Sequence, residues 1–275
     1  LLLIIMSYLK IFFLMLCMIL VSCTGQKTGK ENDNNDKIAI EVGEIKFPPQ
    51  DVLQLKSYYL SSSVHVDSID YLIGYNYRLH SLDCMNLKSK SVTQIVLPGD
   101  GPDAIVRLSG IYAQSLDSVW ISDESERAFL IDSVGTIKRM IDLKKYLEDQ
   151  EQLLINTNYA MFTSHLFYNA SRHSLMFLVK HTPSNTFIVK EAFIDEVGKM
   201  ATYQLSSSKV VPDMSKGYAY INFPNVNFVG ENIVYNYPVE SSIYMLDIRT
   251  NERKYILADS HYTSNIIEKC TTSGD

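Results

Sequence analysis

An all-β fold of repeated four-stranded units is what this sequence predicts, on three observations. Short runs of β-branched and aromatic residues are separated by Asn, Asp, Ser and Gly through most of the chain, the pattern of strands with frequent turns. Helical periodicity is scarce. The runs also recur in one order: a strand, a loop, a strand often closing on Asp, a turn and a third strand. Their spacing, on the order of 45–60 residues, is the period of a β-propeller blade. One four-stranded sheet cannot bury both faces alone, whereas blades stacked around an axis bury them and leave only short edges. A β-sandwich is the competing architecture, and it gives no reason for that order to repeat.

The elements follow in chain order. Residues 1–5 are apolar, and reading from Met6 gives a short segment with one charge at Lys10. The apolar run 11–21 is shorter than the about 20 residues that span a bilayer and suits the central region of an export signal. Leu20, Val21, Ser22 and Cys23 then resemble the lipobox of bacterial lipoproteins. That resemblance implies cleavage before Cys23 and acylation of its thiol. Residues 1–22 are therefore the expected signal peptide, with Met6 as its start; an uncleaved membrane anchor is the alternative. Thr24 stands where an Asp would retain the chain at the inner membrane, so the expected address is the outer membrane. Residues 23–37 carry no large apolar side chain to offset the entropy of ordering, and read as a flexible tether.

Residues 38–275 are the expected propeller domain. Segments 38–42 and 51–55 alternate like strands of a partial blade. The first full unit comprises 69–75, 79–83 and 92–97, and the second 116–121, 128–132 and 136–140. The third is 174–179, 186–190 and 199–203, and the fourth 232–235, 243–247 and 254–257. A looser strand precedes each, as at 105–112 and 225–228, making four per unit. Residues 143–154 put Leu143, Tyr146, Leu147 and Leu154 on one helical stripe, the best helix in the chain. The sequence stops at residue 275 as a further strand becomes due, so the expectation is four to five blades, C-terminally incomplete.

Charge and chemistry narrow the function classes. The net charge is −6 and Lys and Arg are scattered, which argues against tracking a nucleic-acid backbone. Cys84 and Cys270 lie far apart in sequence and read as buried free thiols rather than a disulfide. No nucleophile elbow, P-loop, dinucleotide fingerprint or zinc-protease spacing occurs, so no catalytic residue, metal or cofactor is expected. His173 and His181 flank one strand, a weak metal pair. Asp123, Glu124 and Glu126 form an acidic cluster that could bind a cation or act on glycosidic bonds, although a solvated loop is the commoner meaning. The 18 tyrosines suit either protein and sugar contacts or ordinary sheet faces.

The connection after the first unit, Leu97-Pro98-Gly99-Asp100-Gly101-Pro102-Asp103-Ala104-Ile105, combines prolines, glycines and turn-capping aspartates. It resembles the inter-blade segment of the DUF4221 family of Bacteroidetes lipoproteins, six-bladed propellers of the TolB-like and NHL-like kind. Ile131, Asp132, Gly135 and Ile137 resemble that family's hairpin. The resemblance implies a lipid-anchored propeller and carries no catalytic residues. Candidate binding residues are Tyr75, Tyr77 and Tyr112, with Asp100, Asp103 and Arg107 of the connecting segment. Asp-Ser-apolar triplets place candidate O-glycosylation sites at Ser68, Ser118 and Ser133. The expected activity is binding of a protein or glycan, with the membrane reached through the N-terminal lipid; a hydrolase or lyase at the axial channel is the alternative.

Overall fold

The computed structural model describes residues 43–48, 58–154, 166–209, 223–259 and 264–267. Cys23, the segment 23–37 and the alternating runs 38–42 and 51–55 lie outside them. The chain divides into two units, Leu1–Glu44 and Ile45–Asp275, and the fold is that of the second. Among the described residues no helix is long and apolar enough to cross a membrane.

Among the described residues, four antiparallel meanders follow one another. The first holds β1 (Ser61–Val66), β2 (Ile69–Asn76), β3 (Ser81–Asn86) and β4 (Val92–Val96). The second holds β5 (Leu108–Ser115), β6 (Ser118–Asp123), β7 (Arg127–Ile131) and β8 (Ile137–Asp142). The third is β9 (Glu151–Leu153), β10 (Leu166–Asn169), β11 (Ser174–His181), β12 (Thr186–Phe193) and β13 (Met200–Gln204), with β9 and β10 both pairing β11. The fourth is β14 (Asn225–Val229), β15 (Asn232–Asn236), β16 (Ser242–Asp247) and β17 (Arg253–Leu257).

These sheets are propeller blades because of where their faces go. Successive strand residues point to opposite faces, so a strand buried on both sides feeds two cores. In β6, Val119 and Ile121 join Tyr75, Leu82 and Ile95 between blades 1 and 2, while Trp120 points to blade 3. In β11, Leu175, Phe177 and Val179 face blade 2, while Met176 and Leu178 face Tyr235, Tyr244 and Leu246 of blade 4. Each layer thus joins consecutive blades, and each large side chain buried there contributes roughly 1.5–3 kcal/mol. Cys84 lies in the first layer as a free thiol, its pKa pushed up to about 11 chiefly by burial. Cys270 lies outside the described residues.

Turn chemistry holds the meanders in register. His80, Glu126 and Asn185, each just before the third strand of its blade, take the left-handed conformation with φ between 50° and 61°. Gly135 (φ 86°) turns blade 2 back on itself against blade 1: a Cβ there would lie 2.5 Å from the Val96 carbonyl oxygen.

The expected helix over 143–154 is a correction. A single 3-10 turn covers Leu143–Tyr146, and the chain then extends into β9. Asp142 accepts from the Lys144 N–H, Leu143 and Tyr146 enter the core between blades 2 and 3, and β11 supplies the ladder that Glu151–Leu153 joins. Tertiary pairing satisfies this backbone better than a continued helix would, because it also buries Leu153.

Candidate functional site

The first strands of the four described blades border one bay. Ser61–Ser63 of β1, Tyr112 of β5, Phe167 and Tyr168 of β10, and Asn227 and Phe228 of β14 line a cavity of about 750 Å³. Gly110 makes this convergence possible. It sits at a register shift in β5, and a Cβ there would lie 2.8 Å from the Leu166 Cβ and 2.5 Å from the Ser122 Oγ.

One wall of the bay is aromatic. The Phe167 and Phe228 ring centroids are 4.3 Å apart, and Tyr112 lies 6.4 Å from Phe167. Tyr168 stacks on Trp120 at 6.0 Å, and burial raises its phenol pKa. The other wall is polar. Ser62 Oγ accepts from the Ala113 N–H at 3.0 Å. Ser171 Oγ lies 2.8 Å from Asn169 Oδ1 and 3.0 Å from Glu231 Oε1. The second Glu231 oxygen, Oε2, is buried and meets no hydrogen-bond donor among the described residues.

A second pocket of about 670 Å³ opens between blades 1 and 2, lined by Tyr75, Tyr77, His80, Gly99 and Arg107 among others. Tyr75 hydrogen-bonds His80 Nδ1 at 3.0 Å, and burial pushes the phenol pKa up to about 12. Arg107 lies 3.5 Å from Glu124 and 5.9 Å from the centroid of the Tyr59 ring. The connection feeding this pocket closes on itself through Ile105 N–H to the Pro98 carbonyl at 2.8 Å, with Gly101 at φ 91°.

The six sequence candidates therefore divide. Tyr75, Tyr77 and Arg107 meet in the second pocket, and Tyr112 stands in the bay. Asp100 and Asp103 are exposed on the connecting turn and line neither. Ser68 and Ser133 are exposed in turns, whereas Ser118 is half-buried at the start of β6. The hydroxyl of Ser133 donates to Asp117 at 2.7 Å.

Two alternatives that the sequence left open do not assemble among the described residues. Asp123, Glu124 and Glu126 do not converge on a cation. Asp123 is fully buried and takes the Arg127 guanidinium at 2.7 Å with the Ser125 N–H at 3.0 Å; Glu124 pairs with Arg107, and Glu126 lies 3.7 Å from Lys144. His173 and His181 sit at opposite ends of β11, roughly 26 Å apart at ~3.3 Å per residue. His173 bonds Asp195, and His181 bonds Ser184. Many tyrosines prove to be core: Tyr75, Tyr203, Tyr235, Tyr237 and Tyr244 are all buried, and burial raises the pKa of the last four.

Sequence reasoning missed Phe167, Asn169, Ser171, Asn227, Phe228 and Glu231. Their only signal was position: they sit on the looser first strands or the turns after them, the edge that a propeller turns toward its axis.

No protein-family model matches the chain, and no curated protein matches it. Among solved structures it is similar to the WD40 domain of SCAP from fission yeast, at 9% identity and a TM-score of 0.40 over 74% of this chain and 54% of that one. It is also similar to BamB from Moraxella catarrhalis (9%, TM-score 0.35, 70% and 47%) and AztD from Citrobacter koseri (13%, TM-score 0.40, 73% and 46%). The chain spans about half the length of these structures.

Proposed function

We propose that this chain is a lipid-anchored β-propeller of the bacterial cell envelope that works as a binding module, taking a protein or glycan ligand in the bay between its first strands. The observation that carries this reading is the bay itself. Each of the four described blades contributes to it, and its walls offer aromatic rings, hydroxyls and the Glu231 carboxylate. The serines that line it have no histidine or lysine beside them among the described lining residues, whereas a serine nucleophile needs an adjacent base. Cys23 supplies the anchor, after the apolar run 11–21 and ahead of a polar segment long enough to hold the blades off the membrane. Membership of the DUF4221 group, a six-bladed whole protein and an outer-membrane address belong to the same reading, supported by the lipobox-like residues and the 97–105 connection.

Expression from Met6 in a bacterial host, with a palmitate analogue in the medium, tests the anchor. The chain is expected to take the label and fractionate with membranes, and Cys23→Ala to lose both. An unlabelled wild-type chain in the soluble fraction would remove the lipoprotein reading. In-cell crosslinking tests the module: a specific envelope protein or glycan should attach near the bay, and substitution of Asn227 by Trp should abolish it.

A further inference from the structure

Resting on that reading, we infer that the ligand of the bay is a neutral saccharide, held by stacking on the aromatic wall and by a hydroxyl donated to Glu231. Among the described lining residues Glu231 is the single charged side chain, with no Lys, Arg or His beside it. Phosphates, sulfates and uronic acids would therefore meet a carboxylate with no compensating cation, a repulsive arrangement in a partly desolvated site.

The uncharged groups suit hydroxyls. A sugar hydroxyl donates and accepts at once, so it can donate to Glu231 Oε2 while accepting from a neighbouring group. The Ser171 hydroxyl stands beside that carboxylate and next to the Asn169 side chain, and Asn227 and the β1 serines border the same space. The aromatic wall supplies the rest. Tyr112, Phe167 and Phe228 are half-buried, leaving ring surface for the apolar C–H face of a pyranose. A volume of about 750 Å³ falls within the ~300–1,000 Å³ of small-ligand sites. A polyamine would also satisfy Glu231, but it would leave the serines and amides facing methylene groups.

The protein carries its own reporter. Trp120 is the only tryptophan, and it stacks on Tyr168, which lines the bay. The full chain in detergent is titrated with neutral tetrasaccharides (cello-, malto-, xylo- and N-acetylchito-), with a galacturonate tetramer and with spermidine, reading tryptophan fluorescence and heat. At least one neutral tetrasaccharide is expected to saturate the signal, and the galacturonate is not. Glu231→Gln keeps an acceptor for Ser171 but weakens the bond to the ligand, and should reduce affinity about 10- to 100-fold. Asn227→Trp fills the bay from an exposed position and should abolish binding, both variants melting with the wild type.

Saturation by spermidine or galacturonate with no response to any neutral sugar overturns the saccharide inference and leaves a ligand-binding bay. Failure of every probe, together with envelope crosslinking that Asn227→Trp does not alter, overturns both. Neutral-sugar binding that survives Asn227→Trp overturns the placement in the bay.

Discussion

At the scale of single residues, aspartates at strand ends act as staples for the turns. Asp132, just after β7, accepts from the N–H groups of Val134 at 3.1 Å and Thr136 at 2.8 Å, and its other oxygen lies 2.7 Å from Lys138 Nζ. The Lys138 contact, reinforced by those N–H groups, holds its pKa at about 2, below the ordinary 3.8. Asp117 and Asp247 are lowered the same way, by Ser133 in one case and by the N–H groups of Thr250 and Arg249 in the other. A carboxyl with a depressed folded pKa contributes stability in full above its unfolded value and loses it as pH falls through the folded value. The Asp132 contribution is therefore complete above about pH 4 and gone near pH 2. Asp132→Asn should lower the melting temperature at pH 6 and flatten its fall between pH 4 and pH 2. Parallel acid limbs in mutant and wild type would show that Asp132 staples nothing. The sequence announced Asp132 and Asp247 as strand terminators; their partners come from turn geometry that spacing alone does not specify.

At the scale of elements, the segment from Leu143 to Leu153 shows what propensity leaves undecided. Its leucines and charged residues suit a helix, yet its charges serve blade 3. Lys190, fully buried on β12, places its ammonium 3.0 Å from both Glu148 and Glu151, and the Glu151 side chain is only 4% exposed. A buried charge with one partner removed costs about 3–5 kcal/mol, whereas replacing a buried pair by apolar groups is often close to neutral. Lys190→Met should therefore lower stability by about 3–5 kcal/mol in urea unfolding, and adding Glu151→Leu should recover most of the loss. A double variant no more stable than Lys190→Met would mean that the pair is not what fastens the segment. Strands β2, β3, β6, β7, β11, β12, β15 and β16 were legible because β-branched and aromatic runs and turn residues agree there. The segment at 143–153 was not, because its helical stripe and its strand pairing use the same leucines.

At the scale of the molecule, the legible period implies stacked blades, and the structure shows what stacking does to each one. Blades 2 and 3 bury both faces, so β11 reads as an almost unbroken apolar run, SLMFLVKH. Blade 4 buries Ile233, Tyr235, Tyr244 and Leu246 against blade 3, while Val234, Ile243 and Met245 of its other face stay half-buried and Ile256 is 47% exposed. The bay was not legible for a related reason: its walls come from first strands, where alternation is weakest and no motif marks the chemistry. Amide exchange opens a structure through its least buried cooperative units first. The β11 amides, paired on both edges and covered on both faces, should exchange slowest, and those of β17, at the sheet edge with most side chains in water, fastest among the strands. Intermediate protection is expected for β15 and β16, which share one buried face. If β17 proved as protected as β11 in pulse-labelled peptides, a partner surface would have to cover the outer face of blade 4, and the gradient derived from these three apolar layers would be wrong.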